Sequence, residues 1–181
     1  MKKQLRLGSG SGFWGDALDP AVELLEQGSL DYLSMDYLAE LTMALLQRQR
    51  LKDPSLGYVP DLTTHMRELL PLARKAGTTI ICNGGGANPR AGAEKVRDLA
   101  RDLGLTGTKI AVVEGDDMLP RLDELLVAGH DLTNMDTGEQ DLAALRNRIV
   151  SANVYTDSSG IVSALEQGAD VVIAGRVSDN A

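Results

Sequence analysis

Apolar positions along this chain follow two alternating patterns. Short continuous runs of apolar and β-branched residues, such as the run at 78–82, predict buried strands. Between those runs, apolar residues recur at helical spacing, which predicts amphipathic helices. The predicted strands span residues 4–8, 30–37, 78–82, 109–113, 149–155 and 171–174. The predicted helices span residues 21–27, 38–50, 62–76, 89–103, 118–128, 142–148 and 161–167.

Capping residues define the predicted helix ends. Short polar side chains before an apolar stretch are typical N-caps, and glycine just after it is a typical stop. The predicted N-caps are Asp19, Asp61, Asn88 and Asp117, and the predicted stops are Gly28, Gly77, Gly104, Gly129 and Gly168. Pro71 is expected to kink or split its helix. The predicted apolar face of helix 38–50 consists of Leu38, Leu41, Leu45 and Leu46.

The regular alternation of strand and helix predicts an α/β fold. Short connections and helices of about ten residues favour a mostly parallel sheet with right-handed crossovers. We expect helices on both faces of the sheet, in a three-layer αβα, Rossmann-like arrangement. Part of a (β/α) barrel is the alternative, although a full barrel typically has about 250 residues and this chain has 181. The whole chain is predicted to be one domain, the N-terminal part of a longer protein.

Composition narrows the function classes. The net charge is −8 and no basic stripe occurs, so binding to nucleic acid is not expected. No apolar run is long enough for a signal peptide or a membrane span, and Cys82 is the only cysteine. These features predict a cytoplasmic protein in which Cys82 is a small core residue. With only two histidines, a zinc site is not expected.

Polar residues cluster after the predicted strands. In a parallel sheet, ligands bind at the carboxyl ends of the strands. The candidates for acid/base catalysis at these ends are Asp36, Asp116 and Tyr155. The candidates for ligand binding are Gly10, Gly12, Asp16, Asn83, Gly84, Gly85, Arg176 and Asp179.

The first glycine-rich segment formally matches a dinucleotide-binding fingerprint. Gly10-x-Gly12-x-x-Gly15 follows a strand, and Asp36 lies 21 residues after Gly15. Against this interpretation, the next helix is predicted to begin only at Asp19, and Asp16 would repel a pyrophosphate. We therefore favour a loop that forms a pocket wall, with NAD(P) or FAD binding as the alternative.

Two further segments are candidates for binding an anion. Residues 83–86 (NGGG) lie between a strand and a helix and are predicted either to form a backbone anion site or to be a simple turn. Arg176 follows an apolar strand, where a guanidinium needs an anionic partner. That partner is either a ligand or one of Asp36, Asp157 and Asp179. Asp116 and Asp117 with Glu114 could bind Mg²⁺, but capping and a solvated loop explain them better, and we predict no metal site.

Several segments in order along the chain resemble the acyclic terpene utilisation (AtuA-like) family. They are GSGFWGD at 10–16, LDYLSMDYLAELTM at 30–43, NGGGANP at 83–89, VEGDD at 113–117, ANVY at 152–155 and GADVVIAGRVSD at 168–179. The resemblance implies a role in the catabolism of branched terpenoid alcohols and their acyl-CoA derivatives. It also implies a chain longer than this one, and it assigns no catalytic residue.

Three functions are compatible with these observations. The first is a hydratase or lyase that acts on a small carboxylate or acyl-CoA compound, with Arg176 and the Asn83 segment binding the anion. The second is an oxidoreductase that uses a nucleotide cofactor, and the third is a non-catalytic subunit or binding module. The expected partner is a small-molecule substrate, with a homo-oligomer left open and the cofactor unknown.

Overall fold

The computed structural model describes residues 4–130, 132–139 and 142–179. The strands in this part of the chain are β1 (Leu7–Ser11), β2 (Tyr32–Met35), β3 (Thr79–Cys82), β4 (Ile110–Val113) and β5 (Val171–Ala174). The α-helices are α1 (Asp19–Gln27), α2 (Glu40–Lys52), α3 (Leu62–Ala76), α4 (Pro89–Asp102), α5 (Leu122–Val127), α6 (Leu142–Leu145) and α7 (Ser159–Glu166). Two short 3₁₀ helices span Leu119–Arg121 and Arg146–Arg148.

The five strands form one parallel sheet in the order β1-β2-β3-β5-β4. Leu33 of β2 pairs with Ile80 of β3, which pairs with Val171 of β5. Because all strands run in one direction, their carboxyl ends meet at one edge of the sheet. The prediction of a mostly parallel α/β fold is confirmed.

The main core lies on one face of the sheet. Alternate residues of a strand point to the same face, and Leu33, Ile80 and Ile173 are fully buried there. Helices α1, α3 and α4 pack on this face, α3 in contact with both of the others. On the opposite face, α7 packs across β4 and β5, where Gly160 lies so close to Val113 that a Cβ would be 2.7 Å from Cγ1. Helices therefore cover both faces, as predicted.

The prediction of a strand at residues 149–155 is wrong. These residues form a loop, and Asn153 makes only an isolated antiparallel bridge with Asp117. The backbone N–H of Val154 donates to the carbonyl of Asp116 instead of entering a sheet ladder. Apolar composition alone suggested a strand, but none of the five described strands pairs with this segment.

The first strand lies three residues later than predicted, within the glycine-rich segment. Gly8 and Gly10 belong to β1, and a Cβ on Gly10 would lie 2.7 Å from the Cβ of Ala21. These glycines therefore allow α1 to approach the sheet closely, a packing requirement that local strand propensity does not express.

The predicted apolar face of helix 38–50 is right for Leu38 and Leu46, which are buried, and wrong for the other two leucines. Leu41 is 71% exposed and Leu45 is also exposed, whereas Thr42 and Gln47 are buried. The buried side of α2 thus includes the apolar residues Met43 and Leu46.

Three predictions about helix ends need correction. Helix α1 begins at Asp19 with Leu18 at the N-cap, so Asp19 is not the cap. Gly28 has a right-handed φ of −75°, and the positive φ of 50° falls on Ser29. Helix α3 continues through Pro71 without a break. The stops at Gly77, Gly104, Gly129 and Gly168 do have positive φ angles.

Candidate functional site

Asp36 and Asn83 meet at the carboxyl ends of the neighbouring strands β2 and β3. Asn83 Nδ2 donates to Oδ1 of Asp36 at 2.5 Å, and the backbone N–H of Leu38 donates to the same oxygen at 3.1 Å. The other end of the Asn83 side chain, Oδ1, accepts the N–H of Tyr37 at 2.8 Å. The carboxylate of Asp36 is therefore fixed in place by its neighbours.

A cavity of about 310 Å³ opens beside this pair. Its polar walls include Asp36, Asn83, Ser178 and Asp179. Its apolar walls come from strand residues and from α7 on the opposite face, and they include Met35, Ile81, Ile161, Ala174 and Val177. Three of the predicted site residues, Asp36, Asn83 and Asp179, thus line one cavity.

Arg176 follows β5 and is almost completely buried, with 3% of its surface exposed. Its Nη1 donates to the carbonyl of Leu38 at 2.8 Å, and its Nη2 donates to Oδ1 of Asp179 at 2.6 Å. The Nε atom is buried and has no hydrogen-bond partner within the described part of the chain. Of the two predicted environments for Arg176, the structure contains the internal ion pair, with Asp179 as the partner.

Tyr155 covers the Arg176 guanidinium from the solvent side. Arg176 Cζ lies 4.2 Å from the centre of the Tyr155 ring, within the range of a cation–π contact. The Tyr155 hydroxyl donates to Glu40 at the start of α2. This hydrogen bond lowers the pKa of Glu40 and raises the pKa of Tyr155. Both side chains are exposed, so the contact is open to solvent.

Asp116 is buried at the rim and links three segments. Its Oδ2 accepts the backbone N–H of Arg176 at 3.1 Å and Nδ2 of Asn153 at 2.9 Å. Burial raises the pKa of this carboxyl despite these hydrogen bonds. Gly175 provides the necessary space, since a Cβ there would lie 2.9 Å from Cγ of Asp116. Among the described residues, Asp116 is not part of the lining of the 310 Å³ cavity.

Asp16 closes the first glycine-rich segment on itself. Its Oδ2 accepts the N–H of Gly12 at 2.8 Å and the N–H of Phe13 at 3.0 Å. An aspartate thus occupies the donors that a dinucleotide phosphate would need. Helix α1 begins at Asp19, beyond the glycine-rich segment, in agreement with the predicted late start of this helix.

The glycines after Asn83 are tightly packed. A Cβ on Gly84 would lie 2.9 Å from Sγ of Cys82, and a Cβ on Gly85 would lie 2.6 Å from the carbonyl oxygen of Ala174. The N–H of Gly84 donates to Cys82 Sγ at 3.1 Å, and that of Gly86 donates to the carbonyl of Asn83. These contacts favour the turn interpretation, and anion binding by this segment stays a prediction.

Comparison with protein families decides the affiliation of the chain. The family model described as acyclic terpene utilisation family protein AtuA matches residues 5–181. The chain belongs to the AtuA family. A search of curated proteins and a search of solved structures each found no match.

In this AtuA chain, sequence patterns did not identify Glu40 and Asn153 as site residues. Glu40 carries no motif signal, and only the tertiary contact with Tyr155 places it at the rim. Asn153 belongs to the ANVY segment of the family resemblance, which was the one available indication. His65 is half-buried, and its Nδ1 lies 2.8 Å from the hydroxyl of Tyr37. Burial raises the pKa of Tyr37.

Asp117 of the AtuA chain lies one residue before the N-cap of the 3₁₀ helix Leu119–Arg121, which is Met118, so the prediction of Asp117 as the cap needs correction. Its Oδ1 accepts the N–H of Leu119 at 3.1 Å, and its Oδ2 pairs with Arg50 at 3.2 Å. Within residues 4–130, 132–139 and 142–179, no three His, Cys, Asp or Glu side chains are arranged to bind a metal. No helix in those ranges combines the length and apolar character that a membrane span requires.

Proposed function

We propose that this AtuA-family chain is a hydratase or lyase for a small branched carboxylate or acyl-CoA compound. The reacting carbons would lie in the 310 Å³ cavity. The observation that carries the proposal is the Asp36 carboxylate, oriented by Asn83, at the wall of a cavity with apolar sides. A positioned carboxylate next to an apolar chain is suited to general acid–base catalysis.

The size of the cavity supports a small substrate. Ligand pockets typically measure about 300–1,000 Å³, so 310 Å³ is near the lower limit. Such a volume suits a short acyl chain and leaves the nucleotide part of a CoA ester outside. Ile81, Ile161 and Val177 provide apolar contacts for a branched chain, in keeping with the terpene context of the family.

Asp36 is the proposed base. In hydration of an α,β-unsaturated acyl group, Asp36 takes one proton from water while the water oxygen bonds to the β-carbon. The C=C π electrons move toward the carbonyl, and the α-carbon then receives the proton from Asp36, so that one water is added overall. Asn83 and the N–H of Leu38 both donate to Oδ1, and we assign the proton transfer to Oδ2.

The other predicted acid/base candidates receive different proposed roles. Tyr155 has a raised pKa, so it retains its proton at neutral pH and can act only as a donor. Asp116 fixes the backbone of Arg176 and is proposed as a positioning residue. Arg176 is proposed to bind the negative charge of the substrate.

The test is an assay with branched α,β-unsaturated acyl-CoA esters. Hydration removes the absorbance of the conjugated thioester, and mass spectrometry shows the gain of one water. Asp36→Asn is expected to lower kcat by about 10²–10⁴. The matched control is Asp98→Asn, an exposed carboxylate on α4 that pairs with Arg97, and it is expected to retain the wild-type rate.

Three outcomes contradict the proposal. Turnover that depends on NAD(P)H would identify the oxidoreductase alternative. Absence of both turnover and ligand binding would favour a non-catalytic module. An Asp36→Asn variant that turns over thioester at the wild-type rate would remove Asp36 from the chemistry.

A further inference from the structure

On one edge of the Arg176 guanidinium, only one of the two nitrogen donors has a hydrogen-bond partner among the described residues. The Nε–H and one N–H of Nη2 point in parallel from the same edge, a geometry that matches the two oxygens of a carboxylate. In this structure Nη2 donates to Asp179 at 2.6 Å, whereas the buried Nε has no hydrogen-bond partner among residues 4–130, 132–139 and 142–179. Asp179 therefore binds this edge through a single oxygen and leaves a buried donor unsatisfied, which is costly.

The Asp179 carboxylate is a replaceable partner. Its side chain is 71% exposed, although the side chain of Arg176 is almost fully buried. It lies on the wall of the same cavity as Asp36 and Asn83. Arg176 is not among the residues that line this cavity, so an acid in the cavity reaches the edge of the guanidinium only when Asp179 swings into solvent.

The remaining contacts of Arg176 do not depend on Asp179. Nη1 donates to the carbonyl of Leu38, and the ring of Tyr155 lies against the guanidinium. The backbone N–H of Arg176 is bound by Asp116. The guanidinium would therefore keep its orientation while one carboxylate replaced another.

We infer that the Nε/Nη2 edge of Arg176 is a binding site for a carboxylate of the ligand, and that Asp179 occupies it until the ligand displaces it. The inference rests on the proposed function, because it assumes that the acyl chain of the same ligand lies in the 310 Å³ cavity. It narrows the substrate class to compounds that carry a free carboxylate.

The test compares an acid with its neutral analogue. Binding of 3-methylbut-2-enoate and of the corresponding amide is measured by isothermal titration calorimetry with wild-type protein and Asp179→Asn. The acid is expected to bind the variant about fivefold more tightly, the factor of an exposed ion pair. The amide is expected to bind both proteins equally. Arg176→Lys retains the charge but loses the paired donors, and it is expected to weaken acid binding in protein whose circular dichroism is native.

Each contrary result overturns the inference. Equal binding of acid and amide to wild-type protein would show that no carboxylate is recognised. Acid binding that is unchanged in Asp179→Asn would show that Asp179 does not compete. Inorganic phosphate that displaces the acid at equal concentration would show a general anion site.

Failure of the proposed function is a separate result. If the acid binds as expected but no thioester is hydrated, the carboxylate site stands and the hydratase assignment fails. If thioesters are hydrated but acid and amide bind alike, the hydratase assignment stands and the carboxylate site fails.

Discussion

The carboxylate of Asp116 accepts the backbone N–H of Arg176 at 3.1 Å, across 60 residues of chain. The same carboxylate oxygen accepts Asn153 at 2.9 Å. One buried side chain thus connects the segment after β4, the loop before α7 and the segment after β5. The backbone position of Arg176 depends on this connection.

Replacing Asp116 by asparagine is expected to change how stability depends on pH. Burial raises the pKa of Asp116 in the folded protein above its unfolded value of about 3.9. The unfolded chain therefore loses this proton first as pH rises, and the contribution of Asp116 to stability falls between the unfolded and the folded pKa. Asp116→Asn removes this contribution, while its carbonyl oxygen can still accept both donors.

Urea unfolding at pH values from 4 to 7 measures the effect. The stability of wild type relative to Asp116→Asn is expected to decrease as pH rises, because all other carboxyls are common to both. Asp116→Ala leaves the buried N–H of Arg176 and the half-buried Nδ2 of Asn153 without this acceptor, and it is expected to lower the free energy of unfolding by about 1–3 kcal/mol. A constant difference between wild type and Asp116→Asn at every pH would refute the assignment.

Gly175→Ala is expected to destabilise the protein. A Cβ at this position would lie 2.9 Å from Cγ of Asp116 and force the carboxylate out of place. The expected cost is about 1–3 kcal/mol, measured by urea unfolding. Gly12→Ala is the matched control, since its nearest neighbour would be the Asp16 carboxylate at 4.0 Å.

A double mutant identifies the clash. In an Asp116→Ala background the opposing carboxylate is absent. Gly175→Ala is therefore expected to lower the free energy of unfolding clearly less than it does in wild type. Additive costs would show that Gly175 is required for some reason other than the approach of Asp116.

Asp61→Ala is expected to alter the environment of Trp14. Trp14 Nε1 donates to Oδ2 of Asp61 at 2.8 Å, and Asp61 makes no side-chain capping bond to α3. Loss of this hydrogen bond should shift the fluorescence emission of Trp14, the only tryptophan. It should also lower the free energy of unfolding by about 1 kcal/mol. Helix content measured by circular dichroism should stay the same. Asp98→Ala, a carboxylate on the outside of α4, is expected to leave the emission unchanged.

Cys82 is expected to resist thiol reagents in the folded protein. Burial raises the pKa of this thiol to about 12, which lowers the thiolate fraction at pH 8 about a thousandfold relative to an ordinary cysteine. Labelling with a disulfide reagent should be slow in native buffer and rapid in concentrated urea. Rapid labelling of native protein would place Cys82 outside the core.

Sequence patterns predicted elements well where the structure is determined locally. The run at 78–82 became β3, shortened by one residue, because apolar β-branched residues favour a buried strand in any context. Asn88 and Pro89 begin α4 as predicted, with the Asn88 side chain accepting the N–H of Ala91. Residues 149–155 have the same apolar character but form a loop, because a strand also needs a neighbour.

In the candidate site, too, sequence patterns predicted some features, and others depended on tertiary contacts. Asp36, Asn83 and Asp179 were predicted because polar residues after parallel strands collect at one edge, and these three line one cavity. The role of Asp16 could not be predicted, because the sequence does not distinguish an aspartate that binds its own loop from one that faces a ligand.

The sequence by itself determined the order of the helices and of five of the six predicted strands, the parallel sheet and the edge at which polar residues gather. These features follow from periodicity, capping and short connections, all of which act over a few residues. Only the tertiary structure decided which side chains meet. Arg176 binds the carbonyl of Leu38 across 138 residues, and Tyr155 binds Glu40 across 115. The Arg176 contact depends on β5 lying between β3 and β4, and local patterns carry no information about that order.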